Sequence, residues 1–536
     1  MNENINPDFS PKQKREYTAI EAVFAWLCLI FSYLLCRVFP VVQHPLGGML
    51  FTVSLYFVTA VILKVRGAKF SLLSVLFALS ALAMQAALIL SANSSIHFFA
   101  YSYALLVYLY FVYSTFGNSI ERGFSDFVAA DFLKAIFVMP FSSFASVFRA
   151  LSSSLGHKGG KSFLRILLGV ALALIPTVVI VLLLSYDEGF TSILGSIFDF
   201  SIGDIFSQFF SITFAVPIAM YVYGLFISSA DKKNTEIMSK EKCIRFFGKL
   251  KITPVITVII AVLPVIAVYI IFFISQWQYY VSGFSGVLPK NLSYAEYARN
   301  GFFELCIVSF INLFIITAVS VFSKRNGKAQ TLVIKAVNLI LSLATLVLIA
   351  TAISKMAMYI ASYGLTPRRV YATWGMIVLA VVFLLIILKQ FIPRFKLIAA
   401  IILVTVILFG ALALSGVDRH IAEYNVDRYL DGSLGDVDIV ALTDLGDAGV
   451  PQLVRLAKAI DEKSGTDITK VRPEDIDESN MYNDLVIVLR GYDYSDCGFF
   501  SYTVPQSEAK AALEDLGIEP WSSDDFYELP YYIQPW

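Results

Sequence analysis

The chain has 536 residues, of which 57% are hydrophobic and only 15% are charged. This composition excludes an ordinary soluble globular protein, because such proteins carry about 25% charged residues. The net charge of zero hides an asymmetry: residues 1–415 hold 32 Lys/Arg against 16 Asp/Glu, whereas residues 416–536 hold 9 against 25. We therefore expect a basic membrane part followed by an acidic, water-soluble part.

Eleven apolar stretches in the first part are each long enough to cross a bilayer core, which takes about 20 residues in a helix. Within lipid their backbone amides must bond internally, so a helix is predicted for each stretch. The sequence therefore predicts an all-α polytopic membrane helix bundle of about 11 transmembrane helices over residues 20–415, with a small, mainly helical soluble C-terminal domain over residues 416–536. The predicted spans are residues 20–39, 46–64, 70–91, 97–116, 164–185, 207–229, 253–276, 302–323, 332–354, 370–389 and 397–415.

Between the fourth and fifth spans, residues 121–150 place aromatic and charged side chains at helical spacing. The pattern is typical of a helix in the membrane surface, and a helix packed under the bundle on the cytoplasmic side fits it equally well. Residues 186–205 form a similar amphipathic stretch on the opposite side. We therefore predict interfacial helices near both ranges.

The orientation is predicted from the distribution of cations. Placing residues 1–19 in the cytoplasm puts 26 of the 32 Lys/Arg of the membrane part on the inner side of a plasma membrane. Short cationic loops resist translocation, so this orientation is preferred. Eleven crossings then place residues 416–536 outside, and one crossing more or fewer would reverse the side of that domain.

Three consecutive spans, the fifth to the seventh, each carry a proline near the middle: Pro176, Pro217 and Pro264. A proline removes a backbone donor and should kink its helix. Kinked helices expose carbonyls near the midplane and form ion or substrate sites in many transporters, but packing alone explains many membrane prolines.

Three amides, Gln85, Asn312 and Asn338, are the main polar groups predicted at membrane depth, and no charged residue is central in a span. We expect these amides to form interhelical hydrogen bonds. Proton-driven pumps need an ionisable group within the membrane core, so proton-coupled transport loses support.

A first charged segment on the predicted outer side, residues 292–305, leads into the eighth span. Glu296 and Arg299 are three residues apart, so they can pair on one face of a helix, and Glu304 follows just inside the span.

A second segment, residues 355–374, links the ninth and tenth spans. Gly364 and Pro367 interrupt the helix there, and Arg368 and Arg369 are cations on the side where cations are disfavoured. The pair needs a partner, either an acidic residue of the first segment or of the tail, or an anionic ligand or headgroup; we favour the ion pair. The candidate polar cluster, functional or structural, is Glu296, Arg299, Glu304, Tyr359, Arg368 and Arg369.

The two segments resemble the signature stretches of a bacterial polytopic membrane family known as domain of unknown function 4153, including its 4173 subgroup. A YAEYxRxGFxEL-like block is matched by Tyr294, Glu296, Tyr297, Arg299, Gly301, Phe302 and Glu304. An MxxYxxxYGLTxxR-like block is matched by Met356, Tyr359, Tyr363, Gly364, Leu365, Thr366 and Arg369. Residues 421–456 look similar to the family's segment after the last helix. They depart from its pattern in one place, where Gly449 stands between Ala448 and Val450. The resemblance implies a multi-pass membrane architecture and carries no established activity.

The acidic tail has the pattern of a small helical domain. Residues 447–462 predict an amphipathic helix capped by Asp447, residues 482–496 are compatible with a strand or a helix, and residues 507–517 predict a short helix closed by glycine. The aspartates of the tail miss the ligand spacing of an EF-hand, so we expect helix caps and solvated faces there.

The sequence carries no Ser–His–Asp grouping, HExxH motif or phosphate-binding glycine loop. We therefore expect no enzyme, no catalytic residue, no cofactor and no metal site, and the acidic tail speaks against nucleic acid as a partner. The predicted partners are the lipid bilayer and either an extracytoplasmic protein or an anionic ligand. The expected function is an envelope scaffold or sensor whose outer acidic domain binds a partner; the alternative is a transporter that uses the proline-kinked helices.

Overall fold

The computed structural model describes residues 15–38, 44–121, 123–154, 180, 184, 202–275, 302–476, 480–495 and 498–522. Most of the predicted span 164–185, including Pro176, lies outside the described residues. So do most of the amphipathic stretch 186–205 and both Glu296 and Arg299.

Helices make up most of the described chain, and it contains no β-strand. In chain order they are α1 (Ala19–Val38), α2 (Pro45–Val65), α3 (Leu72–Met84), α4 (Ala87–Leu90), α5 (Ser94–Thr115), α6 (Val128–Leu133), α7 (Met139–Ser142), α8 (Ser146–Ser154), α9 (Ile202–Ala230), α10 (Lys240–Leu250), α11 (Val255–Ser275), α12 (Phe302–Phe322), α13 (Lys328–Tyr363), α14 (Pro367–Phe391), α15 (Leu397–Leu414), α16 (Val417–Leu430), α17 (Ile439–Thr443), α18 (Val450–Ser464), α19 (Met481–Arg490) and α20 (Val504–Leu516).

Ten segments of the described chain are long and apolar enough to cross a membrane: α1, α2, α3 with α4, α5, α9 and α11 to α15. Each coincides with one of the eleven predicted spans, and the remaining prediction falls outside the described residues. The predicted all-α polytopic membrane bundle is therefore confirmed, and the protein is a multi-pass membrane protein.

Helices α6 to α8 occupy the stretch predicted to be interfacial. Residues 134–138 between α6 and α7 form a π-helical turn, and the chain bends by 54° before α8. One face packs into the core formed by α1, α5 and α9, whereas Phe137 and Phe141 on the other face are largely exposed. The segment thus combines packing against the bundle with an apolar outer surface.

The spans form two packed groups. One core joins α1, α2, α3, α5 and α9, and a second joins α11 to α14. Helix α15 contacts both groups, since it packs against α14 and also against α3, α4 and α6.

Interhelical amides hold neighbouring spans together, as predicted. The Gln85 side chain donates to a backbone carbonyl of α5 at 3.1 Å, and Asn338 donates to a serine hydroxyl of α12 at 3.1 Å. Asn312 accepts from the Tyr269 hydroxyl at 2.6 Å and donates to Thr345 Oγ1 at 2.7 Å, so it joins α11, α12 and α13. These bonds give the amide N–H groups partners that a hydrocarbon environment does not supply.

An ion-pair network closes one end of the bundle. Glu21, which is fully buried, pairs with Arg15 at 2.8 Å and with Arg66 at 2.7 Å, and Arg15 also pairs with Asp231 at 2.7 Å. Glu21 Oε2 also accepts from the backbone N–H of Thr18, forming one half of a capping box at the start of α1. We call this end of the bundle the Glu21 end.

The chain after α15 forms a helical region with its own core at the opposite end of the bundle. Its buried apolar side chains come from α16 to α20 and from the connections between them, and Leu365, Val370 and Leu412 of the bundle pack against them. We call residues 416–536 the C-terminal region, and its described part extends to residue 522. The expected helical character is confirmed, whereas its solubility stays a prediction.

Three local predictions for the C-terminal region have clear outcomes. The ambiguous stretch 482–496 contains helix α19, and Gly517, with a φ of 73°, closes α20 as predicted. The predicted cap at Asp447 is wrong, because α18 begins later, with Gly449 at its N-cap position. The Asp447 carboxylate instead accepts a hydrogen bond of 2.7 Å from the Tyr494 hydroxyl, a partner that a local pattern does not reveal.

Candidate functional site

A group of specific polar contacts joins the α13–α14 turn to helix α16. The turn begins at Gly364, whose φ of 74° and ψ of −178° are accessible almost only to glycine. A Cβ atom at this position would lie 2.5 Å from Asn425 Oδ1. Glycine is therefore needed here both for its backbone conformation and for the close approach of α16.

The Asn425 side chain of α16 forms hydrogen bonds with both the backbone N–H and the backbone carbonyl of Leu365, the next residue of the turn. Its Oδ1 accepts from the Leu365 N–H at 2.7 Å, and its Nδ2 donates to the Leu365 carbonyl at 2.8 Å. The Asn425 side chain is buried, so these bonds replace water for both groups. We call this pair of bonds the Asn425 clamp.

Arg428, one turn further along α16, caps the end of α13. Its Nη1 donates to the Ala361 carbonyl at 2.8 Å, and its Nη2 donates to the Ser433 carbonyl at 2.8 Å. Carbonyls in the last turn of a helix lack intrahelical partners and carry partial negative charge, so a guanidinium is a favourable partner.

Arg369 of α14 binds the same helix end from the other side. Its Nη1 donates to the carbonyls of Tyr363 and Gly364 at 2.8 Å and 2.5 Å, and its guanidinium lies 4.1 Å from the centroid of the Tyr359 ring. Two arginines from different helices thus complement the C-terminal end of α13.

The predicted polar cluster is brought together only in part. Tyr359 and Arg369 are in contact as above, whereas Arg368 is exposed and Glu304 lies in the first turn of α12. The acidic partner expected for the arginine pair is not among the described contacts of Arg369, because backbone carbonyls of the helix end take that place. Sequence reasoning missed Asn425 and Arg428, although both stand in the third block of the family resemblance.

A second contact joins α16 to the α4–α5 connection. The Asp418 carboxylate is buried and accepts from Asn93 Nδ2 at 3.3 Å and from Ser91 Oγ at 3.4 Å, both long for charge-assisted bonds. Asn93 also caps α5, since its Oδ1 accepts from the Ser95 N–H at 2.9 Å. Burial raises the pKa of Asp418 above its usual range, and the bonds from Asn93 and Ser91 counteract that rise.

A cavity of about 280 Å³ opens beside Asp418. Arg419 lines this cavity and forms ion pairs with Glu423 at 2.9 Å and with Glu508 of α20 at 2.8 Å. No group of three or more potential metal ligands was found within the described ranges. The contacts around the cavity join α16 to α20 and to the bundle.

Two of the three predicted kink prolines are described. Pro217 lies inside α9 and Pro264 inside α11, and both side chains are exposed on the outside of the described bundle. A cavity of about 250 Å³ beside α9 is lined almost wholly by apolar side chains, among them Phe24, Phe31 and Ile218. These surroundings do not supply polar ligands for a hydrophilic substrate.

The family model described as a domain of unknown function (DUF4153) matches residues 49–456. The chain belongs to the DUF4153 family. No curated protein and no solved structure matches the chain. The DUF4153 match begins in α2 and ends in α18, so the Asn425 clamp and both capping arginines lie inside it.

A substitution at Gly364 tests the clamp. We expect Gly364→Ala to lower the free energy of unfolding by about 2–4 kcal/mol, because it combines a disfavoured backbone conformation with the loss of Asn425 hydrogen bonds. The measurement is the thermal unfolding midpoint of the purified protein in detergent.

The matched control for this substitution is Gly465→Ala. Gly465 also has a positive φ, of 68°, but no atom lies within 4 Å of the added Cβ. It should lose only about 1 kcal/mol, the penalty of the left-handed conformation. Equal losses at the two glycines would show that the contact with Asn425 contributes nothing.

The buried carboxylate of Asp418 predicts a pH dependence. Its raised pKa means that the folded state binds the proton more tightly than the unfolded state, so its contribution to stability falls as the pH rises through that pKa. Asp418→Asn removes the titration and keeps an oxygen acceptor. We expect the unfolding midpoint of Asp418→Asn, relative to that of the unsubstituted protein, to rise as the pH increases above the ordinary pKa of an aspartate, about 3.9. A difference that does not change with pH would contradict this assignment.

Proposed function

We propose that this DUF4153 protein is an envelope scaffold or sensor whose C-terminal region lies outside the cytoplasm and binds a partner protein. The observation that carries the proposal is the Asn425 clamp, which fixes the C-terminal region to a turn between two spans. A binding event on that region can therefore reach the bundle without a flexible linker.

The distribution of cations supports the orientation. The loops and helix ends at the Glu21 end are rich in Lys and Arg, which is typical of the cytoplasmic side. They include Arg15, Lys64, Arg66, Lys69, Lys232, Lys233, Lys324, Arg325, Arg394 and Lys396. At the other end the described parts of the bundle contribute Arg37, Lys355, Arg368 and Arg369. The C-terminal region shares that second end, which favours an outer location.

The chemistry of the partner follows from one exposed segment. Asp436, Asp438 and Asp444 are exposed around helix α17, and Val440 between them has 71% of its surface accessible. An apolar side chain surrounded by carboxylates is a suitable contact for a partner with a basic rim and an apolar centre. We propose that this acidic surface, residues 436–444, is where the partner binds.

The transporter alternative receives no comparable support. Pro217 and Pro264 are exposed, and the described cavity beside α9 is apolar. We therefore propose the scaffold or sensor role and not the transporter role.

Cysteine labelling tests the orientation. In a background without the native cysteines, Asp438→Cys should react with a membrane-impermeant maleimide in intact cells. Lys324→Cys, exposed at the Glu21 end, should react only after permeabilisation. The opposite pattern would place the C-terminal region in the cytoplasm and overturn the proposal.

A functional test separates partner binding from coupling. Cells that lack the protein are complemented with the full chain, with a chain truncated after residue 416, with Asn425→Ala, or with the control Arg455→Ala, whose described ion pair with Asp427 is exposed. Growth under envelope stress is the readout, and membrane insertion is checked for each variant.

We expect the truncated chain and Asn425→Ala to lose complementation and Arg455→Ala to retain it. Crosslinking from residue 438 should still capture the same partner in Asn425→Ala, because the acidic surface is intact. Full complementation by the truncated, correctly inserted chain would contradict the proposed role of the C-terminal region.

A further inference from the structure

A cavity of about 1060 Å³ lies at the Glu21 end, far from the C-terminal region. Three chain segments surround it: the α2–α3 connection, the chain that follows α5, and the chain that follows α9. Its wall combines cations and hydroxyls with apolar side chains, so it suits an amphiphilic ligand. The lining residues used below are Arg66, Lys69, Phe70, Ser71, Phe116, Ser119, Glu121 and Lys232.

Lys232 reaches this cavity from an unusual backbone position. The Lys233 N–H donates to the Ser228 carbonyl at 2.9 Å, and the Lys232 N–H donates to the Ser229 carbonyl at 3.3 Å. These two bonds form a Schellman motif at the end of α9, in which glycine is the usual residue at the position of Lys232. Lys232 instead adopts a φ of 52°. Lysine thus occupies a position at which glycine is the usual residue, and its side chain supplies a positive charge to the cavity.

The charges of the cavity do not cancel among the residues that the structure describes. Arg66 forms an ion pair with Glu21 at 2.7 Å. Glu121, a carboxylate of the cavity wall, forms an ion pair with Lys240 at 2.6 Å. Lys69 and Lys232 form no ion pair with any residue that the structure describes. The cavity therefore presents two uncompensated ammonium groups, and the hydroxyls of Ser71 and Ser119 lie in the same wall.

The ligand must also match an apolar wall at the level of the membrane surface. Phe70 and Phe116 line the cavity. The neighbouring helix α10 is joined to the wall by the Lys240–Glu121 pair, and it exposes Phe246 and Phe247 at 59% and 51% of their surfaces. A helix with exposed aromatic rings and several lysines is typical of the interface with an anionic leaflet.

We propose that this cavity binds the phosphate headgroup of an anionic phospholipid, with Lys69 and Lys232 as its cationic ligands. Ser71, which caps α3, and Ser119 form the polar part of the wall beside the phosphate, and Phe70 and Phe116 contact the glycerol and upper acyl carbons. The site is separate from the acidic surface of the C-terminal region and does not depend on the function proposed for that region.

The test measures lipid binding by the purified full-length protein. After the protein has been stripped of lipid in a mild detergent, phosphatidylglycerol and phosphatidylcholine of identical acyl chains are titrated and bound lipid is counted by native mass spectrometry. We expect phosphatidylglycerol to bind in preference. Lys69→Gln combined with Lys232→Gly should weaken its binding by more than about tenfold, since each cation near an anionic headgroup contributes about fivefold.

The variants separate charge from folding. Lys232→Gly places glycine where the Schellman motif favours it, so the unfolding midpoint should not fall. Lys69→Arg with Lys232→Arg should retain binding, and Lys328→Gln, at the same end but outside the cavity wall, should not change it. Unchanged binding by the Lys69→Gln/Lys232→Gly variant, or equal binding of the two lipids, would overturn the proposal. Displacement of the lipid by equimolar glycerol 3-phosphate would assign the cavity to a soluble phosphate compound instead and would equally overturn it.

Discussion

The junction between the bundle and the C-terminal region depends on one constraint: the carbonyl groups at the end of α13 need hydrogen-bond partners. This helix is 36 residues long, and its last turn lies where the bundle meets the C-terminal region. The last carbonyls of a helix lack intrahelical partners and need hydrogen bonds from elsewhere. Arg369 and Arg428 satisfy them, and the Asn425 clamp satisfies the peptide groups that follow. The C-terminal region is thus attached by the same bonds that allow α13 to end.

The C-terminal region is also attached to the bundle through Asp418, and the hydrogen bonds of Asp418 differ from those of the Asn425 clamp. The Asn425 clamp consists of short bonds between neutral groups. Asp418 is a buried carboxylate with two long hydrogen bonds, so its contribution depends on its protonation state. Only two residues separate α15 from α16, with Gly416 in a left-handed conformation. The orientation of α16 is therefore set jointly by the last span, by the α13–α14 turn and by the α4–α5 connection.

The positions of the spans could be predicted because hydropathy over about 20 residues is a local property. The break at Gly364 and Pro367 could also be predicted from local backbone chemistry. The length of α13 could not be predicted from hydropathy: hydropathy falls at Lys355, so the predicted span ends at residue 354, whereas the helix continues to the break at Gly364. The carbonyls of its last turn are bound by Arg369, six residues beyond Tyr363, and by Arg428, 67 residues beyond Ala361. The partners of Arg369 and Asp447 were missed for a similar reason. A cation or carboxylate in the sequence suggests an ion pair, whereas the tertiary structure offers backbone carbonyls or a tyrosine hydroxyl at closer range.

The Glu21 network implies an order of assembly for the bundle. Arg15 and Asp231 are 216 positions apart, and at synthesis rates of 5–20 residues per second their codons are translated roughly 10–40 s apart. The first span must therefore wait in the bilayer without its complete set of counter-charges until α9 has entered. Glu21 and Arg66 become available earlier, and their pairing gives the nascent hairpin of α1 and α2 an interim partner. Once α9 has entered, Asp231 completes the network with Arg15, Glu21 and Arg66, and α1, α2 and α9 are then joined at the Glu21 end.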